Sequence, residues 1–185
     1  MTISFRKELI NYLSRRKFKS GSAFTLVELI VVVVIIGILS SIAIPSFQNA
    51  SDKAKQKEAS SLVASYLKAA QAYYTEYGQV ARNSLQLGEY VAVSACRNGD
   101  SNYCKNNNNS LINWSRATRT QWYSPSGNYD IRLGVTGPRL NILAYPRNQS
   151  MWGVIGCYST DTGATKVKEN SGNDKGNRYV RNITC

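Results

Sequence analysis

Gly21-Ser22-Ala23-Phe24-Thr25-Leu26-Val27-Glu28 opens an apolar run that ends at Ile44, and the reading of this run decides the architecture. Residues 24–44 form a stretch of 21 with a single charge, Glu28. A helix of that length can cross a bilayer. A carboxylate within hydrocarbon costs about 2.5–3.5 kcal/mol on insertion scales, so an acid held there calls for a function. Residues 31–36 are all Val or Ile, which in water would favour a strand. In lipid the backbone must satisfy its own hydrogen bonds, and there the same hexamer is a helix.

The flanks orient the span. Arg6, Lys7, Arg15, Arg16, Lys17 and Lys19 precede it against one acid, Glu8, while Lys53, Lys55 and Lys57 follow it. The denser leader cluster favours a cytoplasmic N-terminus under the positive-inside rule. The leader also takes six of the chain's 23 basic residues and one of its 11 acids. The rest of the chain is therefore left with 17 basic and 10 acidic residues, a net charge of +7.

A basic leader, a few small residues and then Phe24-Thr25-Leu26-Val27-Glu28-Leu29 resembles the class III signal of type IV pilins and the related type II secretion pseudopilins. The resemblance implies a cut between Ala23 and Phe24 by a membrane-embedded prepilin peptidase, which also methylates the new Phe24 amine. It implies that Glu28 sets the axial register of subunits by meeting that amine. Positions four apart share a helix face, so the pairing can form within one subunit or with a neighbour. In low dielectric an unpaired charge is costly, which favours the pair. The family usually has Gly before the cut, and this chain has Ala23. A cut after Gly21 would make Ser22 the first residue and move Glu28 out of register. The leader, 23 residues long, exceeds that of the commonest pilin subclass.

Two plainer readings compete. A secretory signal peptide would end at Ser41-Ile42-Ala43, a small-x-small site, but would leave Glu28 in its apolar region and Pro45 two residues past the cut. A simple anchor for an unrelated domain fits the length. Neither gives Glu28 a role.

Gly37 and Pro45 interrupt the helical pattern, and both resemble helix-weakening positions of the pilin stalk that loosen on packing into the fibre. A simple kink at the membrane exit is the other reading. Beyond Pro45, Ala59, Leu62, Val63, Tyr66, Leu67, Ala70, Tyr73, Tyr74 and Tyr77 recur at steps of three and four, the period of a helix with one buried face. Gly78 stands where a C-terminal cap belongs. A helix over residues 24–77 would be roughly 80 Å long at 1.5 Å per residue. The tyrosines at its end are expected to pack against a sheet and not to form a conducting or base-stacking stripe.

After Gly78 the sequence predicts a weakly structured connection and then a polar loop over 97–113, with four asparagines at 106–109. Period-two alternation then predicts strands over 129–135, 140–145, 152–158, 166–168 and 179–183, an antiparallel meander. The fold class is α+β: a leader over 1–23, a long helix over 24–77 with the membrane span at 24–44, and a head over 78–185. A long helix packed on an antiparallel sheet resembles the pilin head.

The chain has no histidine, which removes the commonest general base and metal ligand. Cys96, Cys104, Cys157 and Cys185 form no C-x-x-C pair, so a zinc site is not expected. An even count in an exported domain reads as disulfides. Three pairings exist, and Cys96–Cys104 with Cys157–Cys185 is favoured; the second resembles the bond that closes the C-terminal region of pilins. No phosphate-binding loop, dinucleotide fingerprint, zinc-protease or nucleophile-elbow motif occurs, and Glu89, Asp100, Asp130, Asp161, Glu169 and Asp174 suggest no catalytic pair. No cofactor is implied. The Asn-x-Ser/Thr triplets at Asn108, Asn148 and Asn182 mark surface loops only.

The expected role is thus structural: a prepilin that passes from the inner membrane, through the pilus assembly machinery, into an extracellular helical filament of identical copies. Adhesion, twitching motility and DNA uptake are tasks of such fibres. A minor pilin or a type II secretion pseudopilin shares the N-terminal signal and is the alternative. A membrane-tethered enzyme would need a titratable constellation in the head. The head's basic surplus, with Arg132, Arg139, Arg147, Lys166 and Lys168 among it, suits non-specific contact with DNA phosphates only if the charges converge. Otherwise it is a solvated surface.

Overall fold

The structure, a computed structural model, describes residues 24–96, 111–113, 118–148, 152–170 and 183–185. Helix α1 spans Leu26–Tyr77, 52 residues, as the apolar run and the periodicity beyond it predict. Gly78 ends it as expected: its φ of +66° lies in the left-handed region, and its amide donates to the Tyr74 carbonyl at 2.8 Å. A short helix, α2 (Ser84–Leu87), follows, with the Asn83 side chain accepting from the Gln86 amide.

Among the described residues seven strands follow. β1 (Ser94–Cys96) pairs antiparallel with β2 (Leu111–Asn113). β3 (Gln121–Tyr123), β4 (Tyr129–Thr136), β5 (Arg139–Pro146), β6 (Val154–Ser159) and β7 (Thr165–Glu169) form one sheet in sequence order, each pair antiparallel. The expected meander is therefore present, built on the alternation in β4 and β5. The connection after Gly78 is more ordered than its composition suggests, since it holds α2 and β1. The polar tract ends in β2, and β3 was not foreseen. Each of these strands is three residues long, too short for period two to register. The strand expected over 179–183 lies, except for Ile183, outside the described residues.

The two compact units of the chain divide at Ser46–Phe47. In the second, α1 lies on the sheet through Ala59, Val63, Tyr66, Leu67, Ala70 and Tyr73, all buried, with Leu62 and Tyr74 part-buried beside them. The stripe fades at Tyr77, which is half exposed. The opposing layer is Trp122, Tyr129, Ile131, Leu140, Ile142, Val154 and Tyr158. Each fully buried aliphatic or aromatic side chain is worth about 1.5–3 kcal/mol against exposure. Gly156 sets the spacing: a Cβ there would come within 2.4 Å of Val63 Cγ1 and 2.7 Å of Leu67 Cδ1, so only glycine lets helix and sheet approach this closely.

The tyrosines pack on the head as expected. Tyr66 stands edge-on to Trp122 at 5.5 Å and Tyr74 to Tyr158 at 6.0 Å, while Tyr73 meets Tyr77 and Tyr90. The stripe extends one step further N-terminally than apolar periodicity shows. Gln56 is buried because its amide donates to the carbonyls of Asn170, at 2.8 Å, and Gly153. Buried polar groups are tolerated when so satisfied.

Candidate functional site

The first turn of α1 is built around Thr25 and Glu28. Thr25 is the residue before the helix, and its carbonyl accepts the first helical bond, from the Leu29 amide at 3.3 Å. Its Oγ1 accepts from the Glu28 amide at 3.2 Å and donates to Glu28 Oε2 at 2.8 Å. The same Oε2 accepts from the Thr25 amide at 2.9 Å. Hydroxyl to third amide and carboxylate back to the capping amide is the reciprocal capping box. A helix start leaves four amides without internal partners, and this arrangement satisfies two. It also sets a negative charge at the positive end of the helix dipole.

The arrangement changes the chemistry of Glu28. A carboxylate within an apolar helix would be bare, but here two donors within its own turn solvate Oε2. Oε1 has no hydrogen-bond partner among the described residues and stays open to another donor. Phe24 is exposed and immediately precedes the capping residue. Ala23 lies outside the described residues. Thr25 was not singled out in the sequence reading, although Thr25-Leu26-Val27-Glu28 is the Thr-x-x-Glu pattern that announces a helix start before an apolar run.

α1 runs without a break through Gly37 and Pro45, so in the single chain neither residue ends it. Among the described residues nothing beyond the helix's own adjacent turns lies within 4 Å of where a Gly37 Cβ would stand, so packing among them does not require glycine there. Residues 24–39 are all exposed in the single chain, and the helix is long and apolar enough to cross a membrane.

In the head, Cys157 and Cys185 form a disulfide, as favoured from sequence, with Cα atoms 6.0 Å apart. Cys96 is disulfide-bonded as well, and its expected partner Cys104 lies outside the described residues. Among the described residues no cluster of three His, Cys, Asp or Glu side chains converges. Glu76 and Glu169 are engaged in structural contacts instead. Glu169 on β7 lies 2.8 Å from Lys57 Nζ and accepts from Ser60 Oγ, both on α1. Burial pushes its carboxyl up, but the Lys57 and Ser60 hydrogen bonds and the Lys57 charge outweigh this and hold it below the usual value. Glu76 accepts from the Tyr90 hydroxyl, which raises that phenol.

Residues 19–44 match the family described as the prokaryotic N-terminal methylation motif. Similar chains include a fimbrial protein of Neisseria meningitidis serogroup B, 34% identical over 85 residues, which are 41% of this chain and 50% of that one. A type IV major pilin protein, PilE1, of Neisseria gonorrhoeae is 35% identical over 65 residues, 35% of this chain and 39% of that one. A type IV major pilin protein, PilE, of the same organism is 34% identical over 85 residues, 41% of this chain and 51% of that one. The chain spans about half or less of the length of the curated relatives it matches.

Proposed function

We infer that the chain is a member of the type IV pilin family, and we propose that it is a prepilin: a structural subunit, not an enzyme, that assembles into an extracellular filament. The observation that carries this reading is Glu28, the lone charge of the apolar span, held in a capping box with one carboxylate oxygen left open. In the precursor the leader lies on the cytoplasmic side and residues 24–44 cross the inner membrane. Prepilin peptidase cuts between Ala23 and Phe24 and methylates the new amine. The capping box keeps Glu28 solvated while the subunit waits in lipid, and Oε1 then receives the Phe24 amine of a neighbour. An amine and a carboxylate that meet in low dielectric neutralise each other, whereas a register error leaves both unpaired. Axial register follows from that difference.

Gly37 and Pro45 are proposed as the points where the helix loosens during packing into the fibre. Pro45 lacks an amide to donate back along the helix. The uncharged surface of 29–44, apolar but for Ser40 and Ser41, suits first lipid and then the core of a helical bundle of copies. Partners in this scheme are the peptidase, the inner-membrane assembly machinery, the membrane and further copies of the chain. The head is the exposed part of the fibre, where the contacts made in adhesion, twitching motility or DNA uptake would lie.

Intact mass and N-terminal sequence, taken from sheared surface filaments and from membranes, test the proposal. The expected result is a chain starting at Phe24 with one added methyl, abundant in the filaments. The same processed form confined to membranes would point to a minor pilin or a type II secretion pseudopilin. A soluble chain starting at Ile44 would overturn the proposal in favour of ordinary secretion.

A further inference from the structure

The face of the sheet turned away from α1 carries a feature that the filament role does not use. Alternation along β4 and β5 directs Asp130, Arg132 and Thr136, and then Arg139, Asn141 and Tyr145, to this side. With Tyr123, Arg147, Asp161 and the C-terminal Ile183 and Thr184 they line an open groove of about 1370 Å³. The C-terminal wall is pinned there by the Cys157–Cys185 disulfide. The same register sets Lys166 and Lys168 opposite Cys157 and Ile155, on the same side of the sheet. The basic residues of strands β4, β5 and β7 therefore share one face of the sheet.

The guanidinium groups are spaced and preorganised. Arg139 begins β5, Arg132 pairs across from Leu143, and Arg147 follows the strand. These positions step four residues at a time, about 13 Å each. The Arg132 guanidinium lies over the Tyr145 ring at 4.9 Å and is bonded to Asp130; Arg147 lies over Tyr123 at 4.8 Å. Arg139 is exposed at the hairpin end of the groove.

The spacing discriminates between polyanions. A nucleic acid strand carries a phosphate about every 3.4 Å of helix axis, far denser than this row of charges. It also asks for open aromatic faces on which bases stack. Here a face of each tyrosine is covered by an arginine. The carboxylates of Asp130 and Asp161, with Asn141 and Thr136, are good partners for hydroxyl groups. Arginine forks in turn match carboxylates. We propose that this groove binds a linear acidic polysaccharide, with its carboxylates on Arg139 and Arg147, the Arg132–Asp130 pair between them, and sugar hydroxyls on Asp161, Asn141 and Thr136.

The test uses the full chain in detergent, with labelled hyaluronan fragments long enough to span the groove, neutral dextran and oligothymidylate as probes, followed by fluorescence anisotropy at physiological salt. Saturable binding of hyaluronan and none of dextran is expected. Arg139→Gln should weaken it roughly five- to tenfold, and Arg147→Gln similarly, as expected for loss of one charge-assisted contact. Both side chains are exposed, so an unchanged thermal melt should accompany the loss. The proposal is overturned if hyaluronan does not saturate, if neither substitution weakens it, or if oligothymidylate binds more tightly. The last result would make the face a nucleic-acid surface.

Discussion

The two ends of α1 follow opposite rules. Residues 29–36 are apolar on every side and exposed in the single chain, so no face is distinguished from another. Residues 59–73 are apolar on one stripe, and that stripe is buried against the head, with Leu62 part-buried at its edge. A helix apolar all round belongs in lipid or among other apolar helices, whereas a striped helix belongs on a sheet. One element thus takes its stability from surroundings outside the chain at its start and from the chain's own core at its end. The same substitution should have different consequences at the two ends.

The largest contrast is expected for leucine truncation. Leu67 is fully buried between α1 and the sheet, and Leu67→Ala should cost the head about 2–5 kcal/mol. Leu39 is exposed in the single chain, and Leu39→Ala should change head stability by less than about 0.5 kcal/mol. Thermal melts of the full chain in detergent, followed by near-UV circular dichroism, report the head through Tyr66 and Trp122. Equal losses at the two positions would mean that the ends of α1 are not energetically separate.

Glycine-to-valine substitution sharpens the contrast. Gly156→Val drives a side chain into Val63 and Leu67, and overpacking of this kind should cost about 1–3 kcal/mol. Among the described residues Gly37→Val meets nothing within 4 Å beyond the helix's own adjacent turns and should leave the melt unchanged. Its effect is expected on filament yield instead, where neighbouring helices would approach position 37. A loss of filaments without a loss of head stability separates assembly from folding; a destabilised head in Gly37→Val would contradict the separation.

The same contrast explains what was legible in the sequence. The span, its charge, the amphipathic stripe and the long strands β4 and β5 each repeat a physical signal over many residues. Gln56 was hidden because it is polar: its burial rests on carbonyls of Gly153 and Asn170, about a hundred residues away, which no local period can reveal. β1, β2 and β3 were hidden because three residues hold barely one alternation. The convergence of Arg132, Arg139 and Arg147 depends on the β4–β5 register, which sets Arg132 opposite Leu143. Thr25 is different in kind, since its signal is local and complete in four letters, Thr25-Leu26-Val27-Glu28.

Thr25 therefore offers a smaller and more local test. Thr25→Val keeps the branched shape but removes the hydroxyl that accepts from the Glu28 amide and donates to its carboxylate. Loss of such a cap costs about 1 kcal/mol, a roughly fivefold effect on local opening. Amide exchange at Glu28 and Leu29, whose amides donate to the Thr25 hydroxyl and carbonyl, measured by NMR in micelles, should accelerate by that factor while exchange at residues 63–70 is unchanged. Unaltered exchange at the first turn would mean that the capping box does not hold Glu28.

The smallest effect comes from the salt bridge that ties the head end of α1 to β7. Lys57 and Ser60 hold the Glu169 carboxyl below its ordinary value of 4.5 despite burial. A carboxylate lowered in the folded state contributes stability that is fully present above the unfolded value and is lost as pH falls through the folded one. The Glu169 side chain keeps 30% of its exposure and Lys57 keeps 72%, so solvent screening limits the contribution to under about 1 kcal/mol. Melting temperature should therefore fall more between pH 6 and pH 3 in the parent chain than in Glu169→Gln, with the two curves meeting at the acid end (pH values on the order of one unit either side of the carboxylate range). Buried Tyr129 gives the opposite limb. Burial raises its phenol first of all, with nearby acids adding to the effect, so its contribution is present at neutral pH and fades only in strong alkali. A parent chain and Glu169→Gln with parallel acid limbs would show that this bridge, though well formed, adds nothing to the hold of the sheet on the helix.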